Sequence, residues 1–154
     1  MNPTRILTST LVAAVGIGAF ASLTAFGSPD ITKARLERSL EPTFAHLYVQ
    51  RAQILGETGI TEAGIQPKAS CDRGGPKVKD VGPGADWICH ITFIDDKGKQ
   101  QDGKFEVQAK ANSTYVAGGP TKLMGPPVIT NKQTGKDVPN PTSEWDGVLL
   151  DPNY

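Results

Sequence analysis

Hydrophobic positions along this chain fall into three successive patterns. Residues 6–26 form one uncharged run, opening at Ile6 and closing at Phe26, with a single basic side chain, Arg5, ahead of it. Beyond it Leu36, Leu40, Phe44, Leu47, Tyr48 and Leu55 recur close to the helical period, which predicts a helix with one buried stripe. Further on the period drops to two. Trp87, Cys89, Ile91 and Phe93 share one face of a strand, with Ile88, His90, Thr92 and Ile94 on the other. Both faces are fairly apolar, so this strand is expected inside a sheet. After a turn at residues 95–99, Phe105, Val107 and Ala109 alternate with Lys104, Glu106, Gln108 and Lys110, giving a strand with one dry and one wet face.

Turn and cap residues punctuate these patterns. Ser28, Pro29 and Asp30 read as a helix start: a capping hydroxyl, a proline where a missing N–H costs nothing, and a carboxylate near the positive dipole end. Pro42 interrupts the stripe and predicts a kink or a second helix, which Gly56 should end. Residues 56–67 read as a connector. Asn112 and Ser113 turn the chain into a third strand at residues 114–117, and residues 128–130 suggest a fourth, short and near an edge. From Asn131 the tail is proline-rich, with Trp145, Leu149 and Leu150 as the hydrophobic pins that dock it.

The first run decides the compartment. At about 21 residues it is long enough to span a bilayer, which takes roughly 20. Ala25 and Gly27 also offer a small-x-small cleavage site before Ser28, with Ala19 and Ala21 as an earlier one, and Gly16 and Gly18 dilute the hydrophobicity. Signal peptide and membrane anchor both fit. Counting Lys33, Arg35 and Arg38 after the run against Arg5 before it would hold the bulk of the chain in the cytoplasm. The very short N-terminal tail and the cysteine usage favour export.

Composition narrows the rest. Of 154 residues, 16 are Lys or Arg and 16 are Asp or Glu, a balance that argues against nucleic acid as a partner. The 17 glycines and 12 prolines fall mostly after Gly56 and predict a turn-rich domain. Cys71 and Cys89 are the only cysteines. Cys89 faces the core beside Trp87, and the loop between the two is rich in Gly and Pro and poor in apolar residues. A structural disulfide closing it would contribute about 3 kcal/mol in the chain-entropy model. Redox catalysis is disfavoured without a Cys-x-x-Cys spacing.

Other constellations fall short of chemistry. His46 and His90 are the only histidines, read as helix-surface and sheet-surface residues; neither sits at ligand spacing from a cysteine, so no metal or other cofactor is expected. No Gly-x-Ser-x-Gly elbow accompanies them, and no catalytic residue is assigned. Asp95, Asp96 and Asp102 bracket a hairpin without the spacing of a calcium loop. Gly82, Pro83 and Gly84 lack the Lys-Ser/Thr ending of a phosphate loop and precede a strand. Asn112, Ser113 and Thr114 form a glycosylation sequon, meaningful only in a source that glycosylates exported proteins.

The run Cys71, Asp72, Arg73, Gly74, Gly75, Pro76, then Gly82, Pro83, Gly84, Ala85, Asp86, Trp87, Ile88, Cys89, with Asn140, Pro141, Trp145, Asp146 and Gly147 later, resembles small exported or membrane-anchored proteins of actinobacteria that lack an assigned activity. The resemblance spans residues 71–151 and is more specific in its first half. It implies no catalytic residues. Some members carry a second cysteine pair near the positions of Thr114 and Val148; this chain has none there, so its tail must dock without that staple.

Together these readings predict an α+β protein. Residues 1–27 are a signal peptide or anchor, residues 28–56 a helical segment, and residues 57–154 an antiparallel sheet domain of three to five strands with one disulfide, Cys71–Cys89, and an irregular tail. The expected function is a non-catalytic binding or accessory module in the cell envelope, at the outer face of the cytoplasmic membrane, or secreted. Its expected partner is another envelope or membrane protein, with the membrane itself engaged through residues 6–26 if they are uncleaved. The alternatives are an accessory subunit of an integral membrane complex and, behind it, a small exported hydrolase.

Overall fold

The computed structural model describes residues 30–151. The apolar run of residues 6–26 and the expected Ser28–Pro29 helix start lie outside the described residues. Among the described residues no helix is long and apolar enough to cross a membrane.

The long helix, α1 (Lys33–Ile54), begins later than the Ser-Pro-Asp signal suggests. Its cap is Thr32, whose hydroxyl accepts from the Arg35 backbone N–H at 3.2 Å. Residues 31 and 32 are held extended instead: Ile31 is buried, its carbonyl accepts from Gly82 N–H, and Thr32 bridges to Val81. The helix stops at Gly56, where φ is +76° and the N–H groups of Gly56 and Glu57 return to the carbonyls of Gln53 and Ala52. Pro42 does not split it into two helices. Proline removes one rung of the ladder, but Pro42 lies on the exposed side while Leu36, Leu40, Phe44 and Tyr48 all dock on one sheet. Burial on both sides of the proline holds the helix together.

The predicted connector contains a single helical turn, α2 (Glu62–Ile65), capped by Thr61 and pinned by the fully buried Ile65. Then come β1 (Lys68–Asp72), β2 (Gly84–Ile94), β3 (Gln100–Ala109) and β4 (Thr114–Gly118), the short α3 (Thr121–Met124), β5 (Val128–Thr130), β6 (Asp137–Pro139) and β7 (Glu144–Val148). Five strands form one antiparallel sheet in the order β1-β2-β3-β4-β7. The expected α+β architecture with a disulfide-linked antiparallel sheet is therefore observed.

Two expectations need correction, and one strand was not foreseen. β1 was hidden in sequence by its polar composition and becomes a strand because β2 supplies a ladder beside it. Residues 128–130 do not join the main sheet; β5 pairs with β6 in a separate ribbon. The tail is not irregular, since β7 forms an edge of the main sheet.

One face of the sheet is covered by α1. Trp87, Cys89, Ile91 and Phe93 of β2, Phe105, Val107 and Ala109 of β3, Tyr115 and Ala117 of β4, and Trp145 of β7 point into a single core with the helix stripe. Residues 28–56 and 57–154 are thus not independent folding units over the described part. The Phe44 ring lies at the junction, with centroids 4.9 Å from Phe93, 5.5 Å from Phe105, 5.8 Å from Tyr48 and 6.2 Å from Trp145.

Cys71 and Cys89 are bonded, directly opposite each other across β1 and β2 with Cα atoms 4.0 Å apart. The Ala69 and Cys71 N–H groups point away from β2 and donate to carboxylates of α1: Ala69 to Glu41 at 3.1 Å and Cys71 to Glu37 at 2.8 Å. The disulfide therefore joins a non-hydrogen-bonded pair, where antiparallel strands come closest.

The tail docks without a second disulfide. Thr114 and Val148 face each other in the β4–β7 register. Trp145 and Leu149 are buried as predicted, whereas Leu150 is 43% exposed and docks through its backbone. The buried Arg35 guanidinium donates to the carbonyls of Leu150 at 2.7 Å and Leu149 at 3.3 Å, and the Ser39 hydroxyl accepts from Leu150 N–H at 2.8 Å.

Candidate functional site

Only one side of the sheet is used by the core. The other side, facing away from α1, carries no helix among the described residues. Its rows come from the second set of each alternation: Ile88, His90, Thr92 and Ile94 on β2, Lys104, Glu106 and Gln108 on β3, Val116 on β4, and Glu144, Asp146 and Val148 on β7. Ile88, Thr92, Ile94 and Val116 are half-buried by their neighbours, whereas the charged rows and Val148 are exposed. The expectation that β2 is internal holds, but its second face is sheltered by adjacent strands and not by a second layer.

His90 belongs to this surface, exposed, its Nδ1 3.2 Å from Asp102. His46 is exposed on α1, within hydrogen-bond distance of Glu62 at 2.8 Å and Gln50 at 2.9 Å. The structure does not bring the two histidines together. Asp95 is a turn residue: one oxygen accepts from the N–H groups of Lys97 and Lys99, and the other from Gln101 at 2.7 Å. Burial raises its pKa, but these hydrogen bonds outweigh burial and hold the carboxyl below its ordinary value. Among the described residues no group of three or more His, Cys, Asp or Glu is arranged to hold a metal ion.

The Gly-rich loop between the cysteines wraps an arginine. Arg73 pairs with Asp86 at 2.8 Å, donates to the Val81 carbonyl and lies over the Trp87 ring, 5.7 Å from its centroid. The Trp87 indole N–H donates to the Gly82 carbonyl at 3.1 Å, and the Arg73 N–H donates to Asp80 at 3.0 Å. Hydrogen bonding from Arg73 holds the Asp86 carboxyl below its ordinary pKa. The loop is thus a built element of the β1–β2 edge, pinned at both ends. The sequon sits in the β3–β4 turn, where Asn112 is exposed and its side-chain oxygen accepts from Thr114.

A polar recess of about 250 Å³ was not foreseen from sequence. It opens between the end of α1 and the β2–β3 turn, with Tyr48, Arg51, Glu57, Asp96, Lys97 and Gln101 among its lining residues. The Arg51 guanidinium lies 5.6 Å from the Tyr48 ring centroid and donates to the Met124 carbonyl at 3.2 Å. One Glu57 oxygen is shut off from solvent without a hydrogen-bond partner among the described residues. Burial, reinforced by Asp96 and opposed by Arg51 and Lys97, raises the Glu57 pKa; burial also raises that of Tyr48. The only sequence signal was one Glu just beyond a helix-ending glycine, too common to single out.

The raised Glu57 pKa has a stability consequence. In the window between the unfolded value and the raised native value, the native state binds more protons than the unfolded chain, so stability falls as pH rises through that window. Glu57→Gln removes the half-buried charge and is expected to be more stable than the parent at pH 7, with the difference shrinking as the medium is acidified through that window. Urea midpoints measured across pH 4 to 8 test this; a variant less stable than the parent at pH 7 would reverse the assignment.

Comparison with protein-family models, with curated proteins and with solved structures finds no match to this chain.

Proposed function

We propose that this chain is a non-catalytic binding module of the cell envelope, exported by or anchored through residues 6–26, and that the helix-free face of its sheet meets another envelope protein. The observation supporting this is the contrast between the two faces. One is filled by α1 and a buried aromatic cluster; the other alternates charged and polar rows with half-buried Ile88 and Ile94 on β2 and Val116 on β4. Apolar side chains of β2 and β4 flank the exposed polar row of the central strand β3, so the face offers apolar contact and charge side by side, as protein interfaces do. The Cys71–Cys89 disulfide agrees with an oxidising compartment, and the resemblance to small exported or anchored actinobacterial proteins points the same way. If residues 6–26 stay in the bilayer, the same module becomes an accessory subunit of a membrane complex.

Two measurements test the reading. A reporter active only outside the cytoplasm, fused after Tyr154, should be active. A photo-crosslinking side chain placed in cells at Thr92 or Lys104, on the open face, should give one shared adduct that the same group at His46, on the exposed side of α1, does not give. Activity only from a cytoplasmic reporter overturns the location, and adducts arising equally from His46 overturn the assignment of the face.

A further inference from the structure

The two edges of the sheet are finished differently. At β1 the outward N–H groups of Ala69 and Cys71 are taken by the carboxylates of Glu41 and Glu37, so that edge is closed by its own helix. At β7 nothing comparable occurs. Leu149 N–H donates to Ser113 and Gly119 N–H to Ser143, so the odd-numbered residues of this strand carry the ladder to β4. Glu144, Asp146 and Val148 therefore turn their backbone groups outward, and these meet no partner among the described residues. Natural sheets usually blunt such an edge, because it is a template for another strand. Here one edge is blunted and the other left bare, with Val148 68% exposed on it.

The side chains choose among occupants. Glu144, Asp146 and Val148 all project onto the open face, two acids followed by an apolar residue. In the antiparallel register that pairs the whole of β7 with a second copy of itself, Asp146 would stand opposite Asp146, and like charges directly opposite destabilise a ladder. A heterologous strand has no such conflict. We infer that β7 is a strand-addition site for an extended segment of a partner protein, pairing antiparallel, with the alternation apolar-x-basic-x-basic facing Val148, Asp146 and Glu144. Main-chain hydrogen bonds to residues 144, 146 and 148 hold the segment, and the two acids select its charge. This inference rests on the binding-module reading and names the mode and the partner chemistry.

Asp146 offers a clean test because its N–H points away from β4: Asp146→Pro removes an outward donor without removing a ladder bond. The probe is a peptide Thr-Val-Thr-Lys-Thr-Lys-Thr, with its Lys-to-Glu counterpart as control, titrated into the full-length oxidised chain labelled with ¹⁵N. The Lys peptide is expected to slow hydrogen exchange at the amides of Glu144, Asp146 and Val148 while leaving Ala69 and Cys71 unchanged. Asp146→Pro should weaken it about tenfold, the scale of one lost hydrogen bond. Asp146→Lys should shift preference towards the Glu peptide, which keeps the test decisive if the proline variant folds poorly. Protection confined to other strands, equal binding by Asp146→Pro, or no binding of the Lys peptide overturns strand addition. Crosslinks from Thr92 and Lys104 that persist in Asp146→Pro cells would do the same while leaving the open-face reading standing; absence of those crosslinks in the parent strikes the reading itself.

Discussion

Replacing Phe44 with alanine should destabilise the protein by about 3–5 kcal/mol, the usual range for deleting a fully buried aromatic ring. The ring is 0% exposed and touches four other rings, drawn from its own helix, β2, β3 and β7. A cavity there cannot close by a single side chain moving, because its walls belong to four elements held in place by the sheet register. The loss should exceed that of Leu47→Ala, a residue of the same helix that is only half-buried. Urea unfolding of the oxidised protein, followed by far-ultraviolet circular dichroism, measures both. A cost for Phe44→Ala below about 1 kcal/mol, the level of an average substitution, would mean that this junction is not the centre of the core.

How legible was this molecule before its fold was seen? Where burial and period coincide, the sequence spoke plainly: the stripe of Leu36, Leu40, Phe44 and Tyr48 and the alternation of β2 and β3 each follow from one-sided contact with a core. β1 and β7 were opaque because their signals are not local. β1 holds Lys68, Ser70 and Asp72 on its open side, and β7 reads Glu-Trp-Asp-Gly-Val; each is a strand because a neighbour completes its ladder. Gly147 shows this well. It lies opposite Tyr115, and a Cβ there would collide with the tyrosine ring, so a residue that reads as a turn is instead a place for an aromatic side chain to cross the strand. Asn140 behaves similarly. It is buried, donating to the Met124 and Pro126 carbonyls and accepting from Thr142, and so knots the segment that carries β7 back to the sheet.

The surface features were legible only in part, for a different reason. Glu37 and Glu41 stand four apart on α1, which in isolation reads as solvated helix surface; that they close a sheet edge depends on where β1 lies. Arg35 entered the reading as a charge flanking the apolar run, yet it is buried and fastens the tail. A charged side chain is assigned to water by its type and to the interior only by its partners. The open face and bare β7 edge emerged in the same way, as the surfaces left over once every other element had found a neighbour.

Removing the disulfide should have the second large effect. Cys71→Ser with Cys89→Ser is expected to lower stability by about 2–5 kcal/mol. The bond closes a segment with a sequence separation of 18 and ties edge strand β1 to β2, while the two sulfurs lie in a core where neither cysteine is more than 1% exposed. Serine adds a second penalty by placing hydroxyls in that apolar site, so the alanine pair isolates the crosslink from the polarity change. The loop of residues 73–86 is anchored to β1 and β2 through Arg73, Asp86 and Trp87, and to the residues before α1 at Asp80, Val81 and Gly82, but its first residues, 73–79, depend most on β1 staying beside β2. Proteolysis of either double variant should therefore begin in that loop, and cleavage should appear before global unfolding because β1 has only β2 beside it in the sheet. Mass spectrometry of the protein isolated from its own cells without reductant provides the independent check. Two freely alkylatable thiols would remove the staple, and with it the strongest structural support for a location outside the cytoplasm.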